Sequence, residues 1–363
     1  MATIRILILT AKLNEFDGIA DYARVKAHYL EKLGAEVSLY NLCDPVQCEM
    51  VERAIYEPNA SPLNLSLEFE FNLFQQDHSI KWLEALLVQR AANVRLSIML
   101  HELWYRTAGH ALFAFVKSKI KRRLIDRFLK KVQPEYIFTN SRYNQLKLEH
   151  LGYSADVLPV YSNIRVSDFS KAKDAGRRWL NEQGLVTSDN TRIGLLFGGI
   201  DPKWKFKKTL QLLEEQAKRR DLELRFVYIG NDGASETLQR FSNQVSMFSS
   251  LINLGTRQEE AICYALAGAD FGFCVTPVQF ATRSGSLAAK IEAKLPILLG
   301  DPYQLADITG MFSDTPIDLF WDQTRIQAEG IPQCTMCGAG AHTDMRLKMV
   351  EQFLEKIQTI KSN

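Results

Sequence analysis

Residues 280–300 read FATRSGSLAAKIEAKLPILLG. The stretch resolves into a loop, then Arg283-Ser284-Gly285-Ser286, then a short helix, then an apolar strand over 297–299. A Ser-Gly-Ser turn that opens a helix presents free backbone N–H groups and the positive end of the helix dipole, and Arg283 adds a charge beside it. Near the end of an α/β domain, such a site points to a phosphate-bearing ligand. The same residues also suit a plain helix start, with Ser284 or Ser286 as N-cap.

Outward from this stretch, short apolar runs alternate with amphipathic helical segments. Strands are predicted over 4–10, 37–40, 65–71, 96–100, 136–139 and 157–160, and over 193–197, 224–229, 251–254, 271–275 and 297–299. Strands separated by helices imply parallel sheets with crossover connections. Most runs are solidly apolar, as expected when both sheet faces are covered. Residues 65–71 alternate instead, which predicts an edge or an irregular segment. The fold class is therefore α/β, with two doubly wound, Rossmann-like domains over 1–165 and 166–342, and a terminal helix over 343–363. Leu347, Val350, Leu354 and Ile357 make one apolar stripe on that helix.

The chain has 363 residues, 46% of them hydrophobic, which is enough for two cores. Its net charge of +2 gives no global electrostatic case for nucleic acid, so none is expected as a partner. No run reaches the length of a transmembrane helix, and the N-terminal apolar run carries Arg5 and reads as a first strand. A cytoplasmic location is the expectation. Cys263 and Cys274 sit in apolar segments and read as reduced core residues. Cys334-x-x-Cys337 could join His342 at a zinc ion, but a fourth ligand is missing, so no metal is expected.

In α/β domains ligands bind outside the carboxyl ends of strands. After the first strand come Asp17, Gly18, Asp21 and Tyr22. Gly18 lets the backbone turn tightly beside a ligand, and the two aspartates serve equally as loop and first-turn acids. After residues 96–100 come His101 and Glu102, which suit hydrogen bonding to a polyhydroxylated ligand or proton transfer, with Trp104 and Tyr105 able to stack on a sugar or base. A structural histidine is the competing reading. Asn140 and Ser141 read as caps. The second domain opens with Gly198-Gly199 followed by Lys203 and Lys205, a second turn suited to phosphate. Two anion-holding loops in one domain suggest a nucleotide diphosphate.

Taken in order, these pieces resemble the glycosyltransferases of GT-B architecture, close to family 4. The matching segments are Gly18-Ile19-Ala20-Asp21-Tyr22, His101-Glu102-Leu103-Trp104, Thr139-Asn140-Ser141, the crossover 158–164, Phe197-Gly198-Gly199-Ile200, and Arg283-Ser284-Gly285-Ser286 through Leu295-Pro296-Ile297. The resemblance implies two Rossmann-like domains facing a central cleft, an acceptor domain first and a nucleotide-sugar donor domain second. It implies a retaining transfer to a glycan or lipid-linked acceptor in bacterial surface polysaccharide assembly, with the nucleotide-sugar as co-substrate and no cofactor. His101 and Glu102 would be catalytic. Gly198, Gly199, Lys203, Lys205, Arg283, Ser284, Gly285 and Ser286 would hold the donor phosphates. Asp17, Gly18, Asp21 and Tyr22 would border the acceptor. The chain departs from the pattern at Ala281 and Ala289, where family 4 enzymes often carry paired glutamates, and at Lys294, where they carry glycine. A non-catalytic binding subunit and a sugar-nucleotide epimerase of the same fold are the alternatives.

Residues 113–132 read FAFVKSKIKRRLIDRFLKKV, with eight Lys or Arg between Lys117 and Lys131. A basic amphipathic helix of this kind meets an anionic membrane surface, or packs its apolar face inward and solvates the other. Ile120, Leu124 and Phe128 are expected to pack inward.

Overall fold

The computed structural model describes the chain except residues 1–3, 14–17, 57–61, 72–78, 105–110, 163, 165–168, 187, 232–234, 247–248, 309–310, 312–316, 335–343 and 360–363. The chain forms two compact units, one of Met1–Val160 with Asp344–Asn363 and one of Tyr161–Thr343.

The first unit carries six strands: β1 Arg5–Thr10, β2 Glu36–Asn41, β3 Leu63–Glu70, β4 Val94–Glu102, β5 Tyr136–Thr139 and β6 Asp156–Val157. Its helices are α1 Gly18–Lys32, α2 Pro45–Tyr56, α3 Ser79–Val88, α4 Ala111–Val132 and α5 Arg142–Glu149. The strands are parallel in the order β2-β1-β3-β4-β5-β6. The strand order reverses direction between β1 and β3, which marks a crevice at their carboxyl ends.

The second unit carries β7 Thr191–Phe197, β8 Glu223–Ile229, β9 Ser249–Asn253, β10 Phe271–Phe273, β11 Ile297–Leu298 and β12 Phe320–Trp321. Its helices are α6 Phe169–Glu182, α7 Lys207–Arg219, α8 Ser235–Ser242, α9 Glu259–Gly268, α10 Gly285–Glu292, α11 Leu305–Ile308 and α12 Gln323–Glu329. This sheet is also parallel, in the order β12-β11-β10-β7-β8-β9, and its switch point lies between β7 and β10. Gly176 on α6 lets that helix touch α9 closely, since a Cβ there would lie 2.7 Å from the Gly268 nitrogen.

The chain ends with α13 Met345–Gln358, capped by Asp344, which accepts from the Arg346 nitrogen at 3.0 Å. This helix packs on α1 and buries Met349, Val350, Phe353 and Ile357. Leu347 and Leu354 flank the buried face instead of forming it.

Two expectations need correction. Residues 65–71 fall largely in β3, which is central and buried along all eight residues. Its alternation arises because Ser66 and Glu68 meet buried polar partners from α1 and β4, not because one face is wet. Among the described side chains of α4, only the last part packs inward: Ile125, Phe128, Leu129 and Val132 are buried, whereas Leu124 is half-buried and Ile120 is 51% exposed. The helix runs about 33 Å and its buried stretch covers only the last third of that. Cys43, Cys48, Cys263 and Cys274 are in no disulfide, whereas Cys334 is disulfide-bonded. Cys337 and His342 lie outside the described residues, among which no cluster fit for a metal occurs. No helix among the described residues is long and apolar enough to cross a membrane.

Candidate active site

In the second unit, β7 ends at Phe197 and the chain turns at Gly198, whose φ is +86°. That backbone region favours glycine. A Cβ at Gly198 would also lie 2.8 Å from the Ser286 Cβ, so the turn rests directly on the first turn of α10. Two further bonds fix it: the Gly198 nitrogen donates to Ile229 O at 2.9 Å, and the Tyr228 hydroxyl donates to Gly198 O at 3.2 Å. The Asp201 nitrogen then donates to Val275 O at 3.1 Å, tying the loop after β7 to the end of β10. The contact sits at the switch point of the sheet, where a doubly wound domain takes its ligand.

Ser284 is the N-cap of α10 and accepts from the Leu287 nitrogen at 3.2 Å. Its hydroxyl also meets Thr276 Oγ1 at 3.3 Å and Ser286 Oγ at 3.1 Å. Capping and ligand binding are not exclusive here, because one cap satisfies only part of the first turn's N–H groups. Gly285 and Ser286 form that first turn, half-buried. Arg283 ends the preceding 3-10 turn with its guanidinium 5.2 Å from the centre of the Phe280 ring. On the facing loop Trp204 and Phe206 are buried in the core, which leaves Lys203 and Lys205 exposed between and beside them. Gly199 is exposed, with nothing within 4 Å of a Cβ placed on it. The structure thus brings Gly198, Ser284 and Ser286 together, with Gly199, Lys203, Lys205 and Arg283 on the two flanking segments. Ala281 and Ala289 are buried.

In the first unit, His101 lies near the end of β4 and is 5% exposed. Its Nε2 is 2.8 Å from Glu68 Oε2, and the other oxygen, Oε1, accepts from Lys26 Nζ at 2.8 Å. Lys26 also donates to Ser66 Oγ at 2.8 Å and lies 3.6 Å from the centre of the Phe353 ring. Burial by itself raises the Glu68 carboxyl, but Lys26 and then His101 outweigh it and hold it below its usual range. Burial lowers Lys26 against the pull of Glu68. An ionised carboxylate only accepts, so Nε2 of His101 carries a proton toward Glu68.

Tyr22 packs edge-on to His101 with ring centres 5.0 Å apart, and burial pushes its hydroxyl well above 10. Asn140 does not cap α5. It donates to His101 O at 2.8 Å, while Ser141 takes the cap and accepts from the Asn144 nitrogen at 3.3 Å. Glu102 is half-buried at the last position of β4, opposite Glu70 at a register shift. Asp21 pairs with Arg24 at 3.0 Å. Gly18 opens α1, and no described residue lies within 4 Å of a Cβ placed on it. Asp17 and Tyr105 lie outside the described residues. Sequence reasoning missed Lys26, Glu68, Tyr228 and Lys290.

No protein-family model matches the sequence, and no curated protein matches it. Among solved structures, an alpha-glucosyltransferase in complex with UDP and a 13-mer DNA containing a HMU base is similar at a TM-score of 0.50. It is 10% identical, covering 98% of this chain and 99% of that one. A glycosyltransferase from Rickettsia africae ESF-5 is similar at a TM-score of 0.50 and 12% identity, covering 82% of this chain and 79% of that one. The fold is GT-B.

For a GT-B chain the expected absence of nucleic acid does not stand, because the first of these neighbours is bound to DNA. The physical error was to read net charge. Partners meet local charge, and α4 gathers eight cations over fifteen residues of a chain whose total is only +2.

Proposed function

We propose that this GT-B chain is a nucleotide-sugar-dependent glycosyltransferase, family 4-like and retaining. It moves a sugar from a UDP- or GDP-sugar to a glycan or lipid-linked acceptor in bacterial surface polysaccharide assembly. The observation that carries the reading is the seating of the Gly198 turn on the first turn of α10 at the β7/β10 switch point. The first turn of α10 offers backbone N–H groups there, and Arg283, Lys203 and Lys205 can neutralise a diphosphate leaving group. The alpha-glucosyltransferase of the same fold, in complex with UDP, supports it. In this reading His101, held by Glu68, and Glu102 are catalytic, and Asp17, Gly18, Asp21 and Tyr22 border the acceptor.

A thermal-shift screen against UDP-, GDP- and ADP-sugars tests the reading, since a ligand that binds only the folded state raises its melting temperature. One nucleotide class is expected to stabilise the protein. Arg283→Ala is expected to cut that nucleotide's affinity about tenfold or more. His101→Ala is expected to cut turnover far more than nucleotide affinity. No shift with any nucleotide sugar would refute the donor site.

The exposed part of α4 supports a peripheral membrane location. Phe115, Val116 and Ile120 are 38, 45 and 51% exposed among lysines and arginines, and Lys119 Nζ lies 4.4 Å from the centre of the Phe115 ring. Apolar side chains beside cations suit an acyl–headgroup boundary better than a nucleic-acid backbone. The protein is expected to co-sediment with anionic vesicles and not with neutral ones. Reversing Lys119, Arg122 and Arg123 to Glu is expected to abolish this, because each basic residue near such a surface contributes about 1 kcal/mol. Binding should also fade as salt rises. Retention of duplex DNA with no vesicle binding would replace the membrane with a nucleic acid at this helix.

A further inference from the structure

Lys290 projects from the middle of α10 and is 1% exposed. Its stem crosses β10 where only a glycine leaves room: a Cβ at Gly272 would lie 2.9 Å from Lys290 Cδ. Its ammonium reaches two backbone oxygens, Ser286 O at 3.2 Å and Phe197 O at 3.4 Å. These residues belong to the two segments that meet at the donor turn, since Phe197 precedes Gly198 and Ser286 is the residue against which Gly198 packs. Among the described residues no carboxylate pairs with Lys290, and its surroundings are the Phe197 ring, Leu295 and the Cys274 thiol.

A buried cation without a counter-charge is disfavoured in a folded chain, and two long carbonyl contacts offset that only in part. Lys290 bridges the end of β7 and the first turn of α10, and an anion seated at that helix start would supply the counter-charge. We propose that Lys290 is the buried cation of the donor-diphosphate site, supplying positive potential to a nucleoside diphosphate seated on the Gly198–Gly199 turn and the first turn of α10. The inference rests on the donor-site reading above and deepens it. Lys290 acts as a positioning and charge-supplying residue, so its effect reaches the ligand through the two turns.

Burial lowers the Lys290 ammonium to about 8, with the nearby Cys274 opposing, while burial raises the Cys274 thiol to about 11. The other charged side chains on the surrounding elements are Arg283, Glu292, Asp201, Lys203 and Lys205. The folded value of Lys290 lies below the unfolded one, so in the free protein the penalty for the buried charge is full below pH 8 and is relieved as pH rises from there toward the ordinary lysine range. A bound diphosphate favours the charged form and reverses this. Nucleotide binding therefore takes up a proton between pH 8 and 9, where the diphosphate of a nucleotide, unlike inorganic pyrophosphate, is already fully ionised, so UDP is the probe that reads the uptake.

Titration calorimetry of the full chain decides the matter, with UDP and inorganic pyrophosphate as separate probes, at pH 7 and pH 9, in two buffers of different ionisation enthalpy. For the wild type, proton uptake at pH 9 and an affinity about tenfold lower than at pH 7 are expected. Lys290→Met is expected to lose about tenfold at pH 7 and to show neither the pH dependence nor the uptake. Lys290→Arg should keep its affinity at both pH values. Wild-type binding without proton uptake overturns the inference, whether or not Lys290→Met folds, and so does wild-type behaviour in Lys290→Met. Binding of pyrophosphate but not UDP, lost in Lys290→Met, upholds the buried cation and refutes the nucleotide reading. Binding of neither probe by the wild type refutes both.

Discussion

Glu68→Gln is expected to cost the first unit about 3–5 kcal/mol, because it leaves Lys26 charged, buried and without its counter-ion. Both residues are essentially inaccessible, and Glu68 is bonded at one oxygen to Lys26 and at the other to His101. An amide matches the shape of the carboxylate but not its charge, so the loss measures electrostatics and not packing. Urea denaturation followed by circular dichroism measures it. The double variant Lys26→Met with Glu68→Leu removes both charges together and is expected to recover most of the loss. The pH dependence carries its own sign. The folded value of Glu68 lies below the ordinary carboxylate value, so its contribution is present above that ordinary range and is lost as pH falls through the lower folded value. The single variant should therefore lack part of the wild type's acid sensitivity. An unchanged stability in Glu68→Gln would mean that Lys26 is neutral in the folded protein.

The same triad explains where the sequence was and was not legible. Eleven strands could be placed because parallel strands covered on both faces read as apolar runs, and each run pairs in the observed sheets. β12 escaped because it is two residues long, Phe320–Trp321, too short to carry a period. β3 was seen but misjudged, because Ser66 and Glu68 interrupt its apolar pattern. Their partner Lys26 lies forty residues away on a helix where a lysine looks like any solvated one. Lys290 was invisible for the same reason: an amphipathic helix always carries a lysine or two, and only the fold decides that this one points under a sheet. Lys294 runs the other way. It stands where the resembled family carries glycine, and its φ is +52°, so the resemblance had located a backbone demand that this chain meets with a strained residue. Ser284 was legible as a cap, and it caps α10 by accepting from the Leu287 nitrogen.

Gly198→Ala and Gly199→Ala separate the donor turn from the chain around it. The two glycines are adjacent and could not be ranked from sequence, yet their surroundings differ. Gly198 has a φ of +86° and its Cβ would meet Ser286 at 2.8 Å, whereas Gly199 has no positive φ and no neighbour within 4 Å of a Cβ. At Gly198 the backbone strain costs about 1 kcal/mol. Overpacking against α10 adds roughly 1–3 kcal/mol unless the turn moves away from Ser286. If it moves, the N–H groups of the turn and those of the helix no longer converge on one anion. Nucleotide affinity is then expected to fall between about tenfold and a hundredfold in Gly198→Ala, at 1.4 kcal/mol per tenfold. Gly199→Ala should stay within about twofold, because nothing occupies the space its methyl group enters. Calorimetry with UDP reads both, and circular dichroism confirms that both variants fold. Equal losses in the two variants would show that the nucleotide presses on the turn from its open side, at Gly199. Equal retention would show that the contact between Gly198 and Ser286 only packs the domain and that the diphosphate binds elsewhere.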